Sequence, residues 1–125
     1  MNLLVDTHAF IWIGTGDSRI AGRVLDRIAD PDNQIFLSVV SRWEIELKRH
    51  RRSDYALAEP FDEVLSRSGF LPLPLEFDVP SRLAELPRIH SDPFDRILVA
   101  QAIHHELTLV TGDLSIRRYS VPTLW

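Results

Sequence analysis

Five acidic side chains in this 125-residue chain stand where chemistry can use them: Asp6, Glu44, Asp92, Asp95 and Asp113. Each follows an apolar run closely or opens a helical one. Carboxylates brought together repel one another unless they are protonated, dispersed or bound to a cation. Hard divalent ions such as Mg²⁺ or Mn²⁺ take oxygen ligands and relieve that repulsion. If the five meet, a metal site is the economical reading; if they do not, each has a local role. In HSDPFDRILVAQA, residues 90 to 102, Pro93 pushes Asp92 towards extended backbone and suits the first position of a helix. Asp92 therefore reads as the N-cap and Asp95 as an acid in the first turn, near the positive end of the helix dipole. Asp6 can cap a short helix over Thr7 to Phe10, and Asp113 a turn before Ile116. Ser41 and Glu44 have the S-x-x-E spacing of a capping box.

Whether the acids meet depends on the elements that carry them. LLV (3 to 5), IFLSVV (35 to 40) and LTLV (107 to 110) read as strands separated by stretches with helical spacing, which implies a mostly parallel sheet. Helical spacing runs from Ile20 through Val24 and Leu25 to Ile28, from Ser41 to about Arg49, and through Phe61, Val64 and Leu65 to a stop near Gly69. FLPLPLEF contains Pro72 and Pro74, which cannot donate ladder hydrogen bonds, so it is an edge strand or an extended connection. Residues 79 to 86 look helical up to Pro87, Asp95 to Glu106 forms a helix packed on the sheet, and VPTLW (121 to 125) can supply a last strand. In such a fold the strand ends and the helix starts share one edge, the edge where open α/β sheets bind ligands. All five acids can converge there.

Composition narrows the alternatives. At 45% hydrophobic the chain fits a single domain spanning residues 1–125, with no repeat or linker. It has no cysteine, so thiolate metal sites and disulfides are excluded. No apolar run approaches the length of a membrane span, and MNLLVD lacks the basic start of a signal peptide, so a soluble cytoplasmic protein is expected. The net charge of −4 argues against a protein that coats nucleic acid over its whole surface. KRHRR (48 to 52) is a local exception, either a phosphate contact or a solvated helix end. His104 and His105, adjacent on a helix, are expected to point about 100° apart and to share no ion. No G-x-S-x-G, P-loop or G-x-G-x-x-G occurs. An aspartyl-phosphate mechanism on Asp6 would want a second aspartate two residues on, where His8 stands.

The order of the motifs adds a resemblance that spans essentially the whole chain. VDTH near the N-terminus, S-x-W-E-I-x-x-K in the middle, H-x-DPFDR-x-x-x-AQA, LVTGD and a terminal Y-x-VP-x-LW together resemble the PIN-domain ribonucleases, specifically VapC-type toxins of prokaryotic toxin-antitoxin pairs. The resemblance implies a PIN-like three-layer α/β/α sandwich and a Mg²⁺- or Mn²⁺-dependent endoribonuclease that leaves 5′-phosphate and 3′-hydroxyl ends. It places the family's acids on Asp6, Glu44, Asp95 and Asp113, with Asp92 as cap or further metal position. Asp6 and Asp95 are the expected direct ligands, and Glu44 and Asp113 act directly, through water or on the nucleophile. Thr7 and Thr111 are candidates for holding those carboxylates, and Arg42, Arg49, Arg51 and Arg96 for contacting RNA; Arg96 can equally pair with a neighbouring acid. A cognate VapB-type antitoxin and a homodimer are the implied partners, with Phe61, Val64 and Leu65 as groove or core. Gly112, where many relatives carry a basic residue, and the segment after Lys48 depart from the pattern. A non-catalytic PIN-fold module binding RNA or protein is the alternative from a different class.

Overall fold

A computed structural model describes all of residues 1–125. Five strands form one sheet in the order β3-β2-β1-β4-β5, and every neighbouring pair is parallel. β1 is Asn2–Val5, β2 Gln34–Ser38, β3 Leu71–Leu73, β4 Thr108–Val110 and β5 Thr123–Leu124. The helices are α1 Thr7–Thr15, α2 Gly22–Ala29, α3 Val39–Lys48, α4 Phe61–Ser68 and α5 Pro93–His104, with short 3₁₀ stretches at Ser53–Tyr55, Val79–Glu85 and Ile116–Arg118. β3 carries Pro72 at the sheet edge, where its missing N–H does no harm.

β1 lies in the middle of the sheet, so both its faces must be apolar, and Leu3, Leu4 and Val5 are fully buried. Side chains alternate across a strand. Leu3 and Val5 join Phe10, Val24, Ile45, Phe61 and Val64 in one core, while Leu4 joins Val40, Leu98, Val99 and Ala102 in the other. Helices thus cover both faces of the sheet, making an α/β/α sandwich. None is long and apolar enough to cross a membrane.

Several local expectations change. The helix after Asp6 runs nine residues, through Thr15, before Gly16 turns it off in the left-handed region at φ 68°. α3 starts at Val39, capped by Ser38, whose Oγ accepts from the Val40 amide at 3.0 Å. Ser41 and Glu44 therefore form no capping box, because the helix begins earlier than the spacing suggests. Residues 79 to 85 are 3₁₀ rather than α. The structure also leaves Trp43, on which the sequence alone carries no stated expectation, exposed and edge-on against Phe94, with ring centroids 5.1 Å apart.

The chain runs β1, β2, β3 towards one side of the sheet and then returns to place β4 on the other side of β1. Connections diverge between β1 and β4, and a crevice opens at the carboxyl ends of these two strands. Asp6 follows β1 directly, and Thr111 to Asp113 follow β4.

Candidate active site

One solvent-open cavity at this crevice is lined by Asp6, Glu44, Asp92, Asp95 and Asp113 together. The five acids selected from sequence therefore share one place, although they come from four separate parts of the chain.

Asp6 is pinned as the N-cap of α1, its Oδ1 accepting from the Ala9 amide at 2.7 Å. Burial pushes its pKa up to about 6, against the lowering effect of the Thr111 hydroxyl and the Ala9 amide. Asp92 caps α5 by accepting from the Phe94 and Asp95 amides at 2.9 and 3.2 Å. Asp95, one turn in, is pushed up to about 8, first by burial and then by the carboxylates of Asp92, Glu44, Asp6 and Asp113 in that order. Asp113 is exposed; its backbone amide donates to Thr111 Oγ1 at 3.0 Å, and its own Oδ1 accepts from Ser115 at 2.7 Å.

Glu44 is only 2% exposed yet fully matched. The Thr7 hydroxyl donates to Oε1 at 2.7 Å, while Lys48 Nζ and the Tyr55 hydroxyl reach Oε2 at 2.7 and 2.8 Å. Burial and this carboxylate together raise the Tyr55 pKa, so the phenol stays a donor.

The donor set on the Asp6, Asp95 and Asp113 side is oxygen only, which suits a hard divalent ion. Burial first and then its acidic neighbours raise the Asp95 pKa, and a cation held among these carboxylates would offset their repulsion. No three of these residues bring a carboxylate oxygen within 4.8 Å of one another. An ion fits there with one or two direct carboxylates and water completing its shell, the usual habit of Mg²⁺.

The model of the PIN domain family matches residues 3–122. The chain belongs to that family. Among solved structures, the PIN chain is similar to VapBC2 from Rickettsia felis bound to a DNA fragment from their promoter, with a TM-score of 0.72 and 16% identity, covering 100% of this chain and 99% of the other. It is also similar to VapBC-1 from nontypeable Haemophilus influenzae (TM-score 0.65, 10% identity, 99% and 97% covered) and to FitAcB from Neisseria gonorrhoeae (0.61, 18%, 98% and 96%). At such identities these likenesses speak for the fold. No curated protein matches the sequence.

The cations on the PIN cavity are not the arginines chosen from sequence. Arg42 faces elsewhere, paired with Asp62 at 2.7 Å and stacked 4.6 Å from the centre of the Phe61 ring. Arg49 lies 3.7 Å from Glu46, and exposed Arg51 forms no ion pair. Arg96 pairs with no acid: it donates to the carbonyls of Pro87 and Leu83 and to the Tyr119 hydroxyl, tying α5 to the segment before it. Lys48, Arg52 and Arg19 line the cavity instead, with His8, Trp12, Asp54 and Tyr55. Lys48 was legible, since i and i+4 share a helix face. Arg19, Arg52 and Asp54 are carried by irregular segments, where no periodicity points to them. KRHRR thus divides: its first and last residues enter the site, and the middle three are exposed.

The departure at Gly112 has a steric reason. A Cβ there would stand 2.6 Å from Cε2 of Trp125, so the indole occupies the room a larger residue would need.

Proposed function

We propose that this PIN domain is a metal-dependent endoribonuclease, the toxin of a VapBC-type toxin-antitoxin pair acting in the cytoplasm. The observation that carries the reading is Asp95: partly buried in the first turn of α5, its pKa raised by burial and then by four other carboxylates, with no lysine or arginine paired to it and only the His90 imidazole beside it, 3.4 Å away. Asp6 and Asp95 would hold the Mg²⁺ or Mn²⁺, with Asp113 and Asp92 reaching it through water. When bound, the ion supplies Lewis acidity, lowering the pKa of the attacking water and offsetting charge on the phosphoryl oxygens.

The remaining steps belong to the chain. Thr111 steadies the Asp6 carboxylate and the Asp113 backbone. Thr7, Lys48 and Tyr55 occupy both oxygens of Glu44 and fix it as a wall of the cavity. Lys48, Arg52 and Arg19 offset the charge of the RNA backbone on the outer side. Water adds to phosphorus as the bond to the 3′-oxygen breaks, and the proton passes to that oxygen, giving a 5′-phosphate and a 3′-hydroxyl.

A protein partner is part of the proposal. An apolar groove lined by Leu37, Val39, Phe61, Leu65, Leu73 and Pro74 suits a VapB-type antitoxin segment. Val64 is core and takes no part. Val39, Trp43 and Leu47 form an exposed stripe at i, i+4 and i+8 along α3, which suits a second copy of the chain in a homodimer. Co-purification with the neighbouring small protein, and the mass of the toxin alone in solution, test the two.

The chemistry is tested by incubating RNA with the wild type and with Asp6→Asn, in Mg²⁺ or Mn²⁺ and after chelation. Cleavage by the wild type alone, lost on chelation, supports the reading; equal activity in both proteins refutes it. A 2′-deoxy substitution at the scissile nucleotide should leave cleavage intact, because the 2′-hydroxyl takes no part.

A further inference from the structure

We propose that Glu76, His104 and His105 form a second metal site, for a borderline ion such as Zn²⁺, at the end of α5 opposite the acidic cavity. It lies roughly 14 Å along the helix from Asp95, from a rise of about 1.5 Å per residue. The inference stands independently of the nuclease reading.

Two adjacent residues of a regular helix would diverge, as the sequence suggests. They do not, because α5 ends between them. His104 is the last helical residue, and His105 is the cap, at φ −96° and ψ 5°, followed by Glu106 in the left-handed region at φ 54°. Leaving the helix turns the second imidazole back beside the first, with ring centroids 4.8 Å apart. Both rings then face Glu76, which follows β3. His104 Nε2 lies 3.2 Å from Oε2 and His105 Nε2 lies 3.4 Å from Oε1. One ligand atom from each of the three residues fits within a mutual distance of 4.8 Å.

The two contacts run to different oxygens of Glu76, so a tetrahedral ion would draw one oxygen and the two nitrogens together from within that 4.8 Å. With bonds of about 2.0 to 2.1 Å to nitrogen and oxygen, neighbouring donors of a tetrahedron stand about 3.3 to 3.4 Å apart. Two imidazoles and one carboxylate, with a water in the fourth position, are a donor set that Zn²⁺ accepts and Mg²⁺ does not favour. A second observation points to a ligand: His105 Nε2 is closed off from solvent and has no hydrogen-bond partner. The Glu76 carboxylate 3.4 Å away is close without bonding to it, so the nitrogen faces an anion with its hydrogen-bonding capacity unused.

Arg82 sets the terms of binding. Its Nε donates to His104 Nδ1 at 3.0 Å, so neutral His104 carries its proton on Nε2, directed at Glu76. For Nε2 to take an ion, that proton must move to Nδ1 and the Arg82 contact must open. Arg82 therefore competes with the metal. Once in place, the ion joins the segment after β3 to the end of α5 and stabilises the folded chain by mass action.

The test uses the full chain with Zn²⁺ for calorimetry and Co²⁺ as a spectroscopic probe. The wild type and Asp95→Asn should each take up one Zn²⁺ outside the acidic cavity and give the visible bands of tetrahedral Co²⁺. Glu76→Gln and His105→Gln should each weaken Zn²⁺ binding by about tenfold or more, and Arg82→Gln should tighten it by about threefold to tenfold. Melting in chelator confirms that each variant folds; Glu76 is an exposed residue and the amide keeps its shape, so that variant should melt like the wild type. Zn²⁺ should raise the melting temperature of the wild type but not of Glu76→Gln. Unchanged Zn²⁺ affinity in Glu76→Gln and His105→Gln, loss of binding in Asp95→Asn alone, or no tetrahedral Co²⁺ spectrum in the wild type overturns the proposal.

Discussion

The two walls of the acidic cavity treat a buried carboxylate in opposite ways. On one wall Glu44 has a cation, a phenol and a hydroxyl within hydrogen-bond reach, and it is held as a finished structural unit. On the other, Asp6 has a backbone amide, the Thr111 hydroxyl and His8 nearby, Asp95 has other acids and the His90 imidazole at 3.4 Å, neither is paired with a lysine or arginine, and both pKa values rise. A buried charge that the chain itself neutralises makes scaffold; one left unbalanced makes a binding site, because an incoming cation gains what the protein withheld.

The largest expected effect comes from the unbalanced wall. Asp6→Asn and Asp95→Asn should each lower Mg²⁺- or Mn²⁺-dependent RNA cleavage by roughly a hundredfold or more while the protein still folds, read by initial rates beside circular dichroism. Asp95→Asn should also raise the melting temperature in chelator, since it removes the repulsion. A lower melting temperature would mean that Asp95, like Glu44, is scaffold.

Next is the balanced wall. Lys48→Met strands Glu44 without its cation and should cost about 1 to 3 kcal/mol in denaturant unfolding, less than a fully buried pair because Lys48 is partly exposed. Adding Glu44→Gln should recover most of that loss. If Lys48→Met alone is neutral, the two walls do not differ as argued.

A smaller effect is the pH dependence of stability without metal. Asp95 rises from 3.8 to about 8 on folding, so across that window the folded chain keeps a proton that the unfolded chain releases. Stability should therefore fall as pH rises from about 4 to about 8, and flatten above, when both states are ionised. Thermal melts in chelator over this range should show the slope, saturating Mg²⁺ should reduce it, and Asp95→Asn should leave only the shallower slope that Asp6, raised from 3.8 to about 6, contributes between those values.

The smallest effects separate the arginines. Arg52→Gln should raise KM for RNA several-fold and weaken its salt dependence. Arg42→Gln should leave cleavage within about twofold, since Arg42 already faces Asp62 and Phe61 away from the cavity. Equal effects would place RNA on a broader surface.

Much of the fold was legible because its signals are local. Apolar runs with branched residues marked the strands, and Pro93 after Asp92 marked the start of α5 to the residue. The capping box was misread because Ser38 and Ser41 are equally good caps by type, and only the end of β2 decides between them. Which arginines line the cavity was not legible, because charge on a helix end reads the same whether it faces solvent, an acid or a cavity. The divergence expected of His104 and His105 failed at the one place where the helical angle no longer applies.

By itself, the sequence determined which residues are acidic, which runs are strands, and that strand ends and helix starts must share an edge, so the meeting of Asp6, Glu44, Asp95 and Asp113 followed from chain direction and periodicity. Lys48 opposite Glu44 could be read from i and i+4 spacing, but tertiary structure alone decided the rest of how each charge is answered: Tyr55 and Thr7 for Glu44, other acids and the His90 imidazole for Asp95, and a shared carboxylate for two histidines. Periodicity is a property of neighbours along the chain, whereas neutralisation depends on which side chains from distant segments arrive within a few ångströms.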